Sequence, residues 1–200
     1  MDEALRIILP VYLVIYFAVV FVWRSLSVRK QTGLNPYVMG RSDSAYDYIG
    51  SIFRIVFGLI VAAIFLYSLL PRVYVYTAPI AWLDLPAIRW GGLAALFGAL
   101  AWTATAQAQM GRSWRIGIDR ENKTDLVHRG LYNVSRNPIF LGMLAAVLGV
   151  FLVLPSAVTL LALGIGYVLL QVQVRLEEEH LINLHGQAYE DYRGQVRRWI

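Results

Sequence analysis

The sequence predicts an all-α integral membrane protein of about five transmembrane helices, with a tight hairpin between the fourth and fifth and a cytoplasmic helix at the C-terminus. Three observations carry this expectation. Of 200 residues, 58% are apolar and only 16% charged, against roughly 25% charged in a soluble domain. The apolar residues gather in runs close to the roughly 20 residues a helix needs to cross a bilayer core. Around the turn between the last two runs only Leu154, Pro155 and Ser156 intervene, too few for anything but a sharp reversal.

The first run, residues 5–23, is followed by no small-residue cleavage pattern before Arg24, so it reads as a retained helix and not as a secretory signal. Residues 24–48 contain Gly33, Asn35, Pro36 and Gly40 and read as an irregular loop without chemistry of its own. The second run is 49–70. After it, residues 71–86 carry Tyr74, Tyr76 and Trp82, the amphipathic aromatics of a membrane interface. The third run, 86–108, has Gly91, Gly92, Ala94, Ala95, Gly98 and Ala99, small enough to let a neighbouring helix approach closely. The fourth and fifth runs, 138–154 and 156–174, form the hairpin. We divide the chain at residue 108: residues 1–108 hold three membrane helices and their loops, and residues 109–200 hold a loop, the hairpin and the C-terminal helix.

Charge sets the orientation. Fifteen of the 18 Lys and Arg residues, Arg41 and Arg120 among them, flank the first and third loops and the tail, leaving Arg6, Arg72 and Arg89 on the other side. The positive-inside rule then puts the N-terminus outside and the tail in the cytoplasm, in the inner membrane if the source is bacterial. A net charge of +5 and a pI near 9.6 beside membrane helices suit anionic headgroups, not nucleic acid. The absence of cysteine excludes disulfides, thiolate metal sites and thiol nucleophiles.

Chemistry concentrates where the third loop meets the tail. Ser135-Arg136-Asn137-Pro138 reads as a helix start, with Asn at the N-cap and Pro at the first helical position. Capping alone accounts for that pair, and a basic residue at a cytoplasmic helix end is expected of Arg136. Yet free amides and a guanidinium together also suit an anionic group. Further on, Glu177 shares a helical face with Val174, Leu181, Leu184 and Ala188, one turn from Gln173, whereas Glu178 lies at the border of that stripe and Glu179 on the wet side. A carboxylate on an apolar stripe needs a partner, either a ligand or an ion pair with Arg175 or Arg136. His128, His180 and His185 have no zinc spacing, so no metal is expected.

Two blocks, taken together, resemble a known family. Residues 125–132, Asp-Leu-Val-His-Arg-Gly-Leu-Tyr, lead to Ser135-Arg136-Asn137-Pro138-Ile139-Phe140-Leu141-Gly142. After the hairpin, Glu177-Glu178 is followed by Leu181, Gly186, Tyr189, Tyr192 and Val196. In order and spacing they are similar to the isoprenylcysteine carboxyl methyltransferase family over about residues 108–196. That resemblance implies an integral membrane enzyme moving a methyl group from S-adenosylmethionine to a lipophilic substrate. It implies cofactor contacts at Thr124, Leu126, Val127, Tyr132, Asn137, Pro138, Phe140 and Glu177, with Arg136 and Glu178 adjacent, and substrate contacts at Gln173 or Arg175. Arg136 with the helix start would hold the cofactor's carboxylate and Glu177 its ammonium or ribose, and these two are the catalytic candidates. His128 is the candidate base for an amine or hydroxyl acceptor. The chain departs from the family where Asn137 and Thr124 replace His and Phe140 replaces Tyr. Prenylated cysteine, phospholipid amine, fatty acid and small thiol all stay open as acceptors, as does the oligomeric state. The alternatives are an NADPH-dependent membrane reductase akin to sterol reductases and a non-catalytic accessory protein.

Overall fold

The computed structural model describes residues 2–38, 44–119 and 122–200; Gly40, Arg41 and Arg120 of the loops above lie outside them. Six helices of eight residues or more appear among these residues. The first, α1, runs Asp2–Thr32 without a break, although Ala18–Trp23 is wound as π-helix. Gly33 ends it in the left-handed conformation. Helix α2, Ala45–Leu69, is capped by Ser44, whose side chain accepts from the Asp47 amide. Helices α3, Pro86–Met110, and α4, Pro138–Val153, both place Pro in the first turn, where the missing N–H is no loss. Helix α5, Ala157–His185, opens on a capping box made by Ser156 and Thr159. Helix α6, Gln187–Gln195, follows Gly186, whose φ of 55° and ψ of −128° suit only a residue without Cβ and turn the tail off the axis of α5.

Three of these helices, Asp2–Thr32, Tyr46–Leu69 and Ala157–His185, are long and apolar enough to cross a membrane, and Pro138–Val153 is a shorter apolar helix. Five helices therefore stand near the five predicted positions, but length and composition mark only three as spans. In α3, Trp102, Thr103, Thr105, Gln107 and Gln109 dilute the apolar pattern.

The packing order differs from the chain order. Helix α1 packs on α2, α2 on α5, α5 on α4 and α4 on α3. Helix α3 returns to α1, where Tyr12 Oη donates to Leu96 O at 2.9 Å and Gln107 Nε2 to Val20 O at 3.0 Å. The hairpin exists as predicted, yet the most extensive partner of α4 is α3. Thr103 and Leu96 come so close to α4 that a Cβ on Gly142 or Gly149 would lie 2.2 or 2.9 Å from their side chains. Of the small residues of the third run, Gly92 serves this packing, since a Cβ there would lie 2.7 Å from Val153, whereas Gly91 and Gly98 have open surroundings. Leu9, Ile60, Ile64, Leu93, Leu96 and Val153 form the centre of the core.

One end of this bundle is tied by ions and backbone. Arg89 pairs with Asp2 and Asp84, Ile80 N donates to Pro155 O at 2.8 Å, and Ala157 N to Ala78 O at 3.0 Å. At the other end the first and third loops meet: Ile116 N donates to Pro36 O at 2.8 Å and Val38 N to Ile116 O at 3.0 Å. Beneath them Arg24 lies over the ring of buried Trp114.

Candidate functional site

Helix α4 begins at the end where the loops meet, and its first residues are held by the tail. Arg136 Nε and Nη2 donate to Glu178 Oε1 at 3.2 and 3.1 Å, while Nη1 donates to the carbonyls of Arg193 and Val196 at 2.9 and 2.8 Å. From the far side Arg198 grips Glu178, with Nη2 2.8 Å from Oε2. Asn137 Nδ2 donates to Glu178 Oε1 and Arg198 O, both at 3.2 Å. Asn137 occupies the N-cap position, but its side chain makes no capping bond, because its amide reaches sideways to Glu178. The helix-start reading holds in place and fails in mechanism.

Glu178 lies deeper than its place in the helical pattern implies. Glu178, at the border of the stripe, is 4% exposed, and Glu177, half-buried, faces the space between the helices as its stripe position implies. The stripe was drawn from α5 alone; the tail, folding back, covers the neighbouring face. Glu177 makes no ion pair with Arg175 or Arg136 among the described contacts. Instead Gln173 Nε2 donates to Glu177 Oε1 at 3.1 Å and to Tyr46 Oη at 2.6 Å, joining α5 to the start of α2.

These residues border one cavity of about 600 Å³ running between the helices. Its mouth is polar, with Thr124, Asp125, Tyr132, Arg136, Asn137 and Glu177. Its depth is apolar, with Phe53, Ile60, Met143, Val147, Val150 and Leu170. Loop three closes over the mouth. Buried Arg115 and Asp119 pair at 3.2 Å, and Ser113 Oγ donates to Asp125 O at 3.0 Å. Tyr192 Oη donates to Tyr132 O at 2.7 Å. Burial pushes the Tyr132 phenol well above its ordinary value, so it is a neutral donor at physiological pH, and its Oη is buried without a partner among the described residues.

Of the expected cofactor residues, Thr124, Leu126, Val127, Tyr132, Arg136, Asn137, Pro138, Phe140 and Glu177 all line this cavity. Glu178 is not among its lining residues. Of the expected substrate residues, Gln173 lines it, whereas exposed Arg175 bonds Gln171 of its own helix. Exposed His128 is also absent from the lining. The carboxylate grip expected of Arg136 needs two parallel donors, and four of the five guanidinium N–H groups are already engaged by Glu178 and the tail. Sequence reasoning missed Tyr46, Tyr12, Tyr16 and Trp114. Tyr12 and Tyr16 lie within the first apolar run and Tyr46 and Trp114 in the first and third loops, where no local pattern marks them; the one available signal was Tyr46 beside Asp47 and Tyr48, a polar cluster at a helix start.

Three comparisons bear on this arrangement. A family model described as phospholipid methyltransferase (PEMT) matches residues 87–188. A solved structure, that of the eukaryotic intramembrane Ras methyltransferase ICMT (isoprenylcysteine carboxyl methyltransferase), is similar with a TM-score of 0.59 at 18% identity, over 90% of this chain and 63% of that one. The chain thus spans less than two thirds of the length of that protein. No curated protein matches the sequence. The shared fold and a family match over half of the length, running from the start of α3 into α6, have one consequence: the chain belongs to the phospholipid methyltransferase family of membrane methyltransferases.

Proposed function

We propose that this protein transfers a methyl group from S-adenosylmethionine to a lipophilic acceptor, with the cofactor at the polar mouth of the cavity and the acceptor in its apolar depth. The observation that carries the reading is continuity: Thr124, Tyr132, Asn137 and Glu177 share one space with Phe53, Ile60 and Val150. Its volume of about 600 Å³ falls within the roughly 300–1,000 Å³ usual for small-ligand sites. The residues present suit the cofactor. The Glu177 carboxylate offers charge to an ammonium or acceptors to ribose hydroxyls, and the unpartnered phenol of Tyr132 offers a donor.

When bound, S-adenosylmethionine supplies a methyl already activated on a sulfonium. What is left to the protein is position and exclusion of water. Gln173 and Tyr46 fix the Glu177 carboxylate from behind. Arg136 and Asn137, engaged by Glu178, hold the first turn of α4 in place and act as positioning residues. A carboxylate or thiol acceptor needs no base once ionised. An amine or hydroxyl needs one, and Glu177 with its Tyr46 and Gln173 partners stands in the cavity where His128 does not. The basic-residue bias assigns the mouth to the cytoplasmic face, and a lipid or lipophilic small molecule, not nucleic acid, is the partner.

Calorimetric titration of the purified protein with S-adenosylhomocysteine and, separately, with NADPH tests the reading. Saturable binding of the first alone is expected, weakened at least tenfold in Glu177→Ala by loss of a hydrogen-bonded charge worth about 1.5–3 kcal/mol. Binding of NADPH alone, or of neither by folded protein, refutes it.

A further inference from the structure

Buried glycines in this bundle do two different things. At Gly92, Gly142 and Gly149 a Cβ would come within 2.7, 2.2 and 2.9 Å of atoms on the facing helix, so smallness there is a condition of packing α3 on α4. Gly58, Gly91, Gly98 and Gly164 have open surroundings but are exposed. Gly166, on α5, fits neither group. It is buried, yet a Cβ there would meet only Val56 Cγ1, at an ordinary 3.8 Å. Glycine inside a helix costs about 1 kcal/mol relative to alanine, and no close neighbour requires it here. What the missing side chain leaves open is the cavity, which Gly166 lines.

The position on α5 gives that space a direction. Gly166, Leu170, Gln173, Glu177 and Leu181 all line the cavity and follow one another at three- and four-residue steps along one helical face. From Glu177 back to Gly166 is eleven residues, about 16 Å of helix axis. Val56, the neighbour a Cβ on Gly166 would meet, is aliphatic, as are Ile60 of α2 and Ala146 and Val150 of α4 in the same cavity lining. Polar ligand groups have partners at the Glu177 end, whereas these walls suit hydrocarbon.

We infer that this limb receives the hydrocarbon chain of the acceptor and that Gly166 sets how long a chain it admits. The inference rests on the lipophilic-acceptor reading above. It makes Gly166 a specificity determinant, since any side chain grown from it fills the limb instead of meeting a wall.

The test is binding to the purified protein of two homologous series, saturated lysophosphatidylethanolamines and S-alkyl N-acetylcysteines, with S-adenosylhomocysteine affinity measured on the same samples. In the wild type, affinity should rise by about fourfold per methylene up to a limiting length. Gly166→Leu should lower that limit by about the four carbons its side chain introduces, and Gly166→Ala by about one, while S-adenosylhomocysteine affinity stays within about twofold. Which series binds reports the headgroup; the shift in limit reports the limb. The inference is overturned if the limit does not move, if every length weakens by one common factor, or if neither series binds saturably. Should Gly166→Leu fail to fold, the alanine variant decides. Loss of S-adenosylhomocysteine binding in the wild type would instead strike at the methyltransferase reading, leaving the length dependence to be judged by itself.

Discussion

Removing the Glu178 carboxylate should release the tail from the bundle. In Glu178→Ala the fork of Arg136, the amide of Asn137 and the guanidinium of Arg198 all lose their shared acceptor. The side chains of Glu178 and Arg136 are 6% and 8% exposed, and that of Arg198 34%. Breaking a buried pair by deleting one partner costs roughly 3–5 kcal/mol. The Arg198 share counts for less because solvent screens it, and Arg136 keeps its bonds to the carbonyls of Arg193 and Val196. About 3 kcal/mol is therefore the expected cost, or a factor of about a hundred in the equilibrium between docked and open tail. Arg198→Ala should cost about 1 kcal/mol, a factor of about five. Amide hydrogen exchange reads this directly, because the bond from Arg136 N to Arg197 O joins the start of α4 to the tail and protects its amide only while the tail is docked. Protection at Arg136 that stays within about threefold of wild type in Glu178→Ala, or an Arg198→Ala effect as large as that of Glu178→Ala, would refute the reasoning.

Three further outcomes follow from the same geometry. Gly142→Ala drives a methyl to 2.2 Å from Thr103 Oγ1 and should lower stability by about 1–3 kcal/mol, seen as a lower Tm, with partial recovery when Thr103→Ala is added. Tyr46→Phe deletes the hydroxyl that accepts from Gln173; S-adenosylhomocysteine affinity should fall by about fivefold as Glu177 loses its brace, a cost of about 1 kcal/mol. Arg175→Ala, which touches only its own helix, should leave both stability and S-adenosylhomocysteine affinity within about 0.5 kcal/mol of wild type; a larger loss would return Arg175 to the site.

The helices were legible because membrane length and apolar runs are properties of local sequence. The hairpin was legible because three residues permit no other connection. The site was legible in composition and less so in arrangement. Helical spacing shows which residues of α5 share a face, but not which face the tail will cover, so the burial of Glu178 between Arg136 and Arg198 does not follow from it. Asn137 satisfies every local rule for a cap, and only the arrival of Glu178 41 residues later in the chain diverts its amide. Tyr46 stayed hidden for a related reason: its partner Gln173 is 127 residues away, and no periodicity within α2 points to it. Each miss is a long-range contact overriding a correct local rule.

The seal that α6 and the tail make across the start of α4 has a consequence for assembly. Helices α1, α2 and α3 emerge first, yet α2 has its long face on α5 and α3 has its close approach on α4. Synthesis therefore delivers the walls that α1, α2 and α3 give the cavity before the others exist. Arg136 enters the membrane region without an acceptor and stays so until Glu178 is made, and its carbonyl partners at Arg193 and Val196 come later still. The cavity can close only after the ribosome has passed these positions, so a nascent chain halted before them should expose an open, apolar cleft to the surrounding lipid and to the insertion machinery.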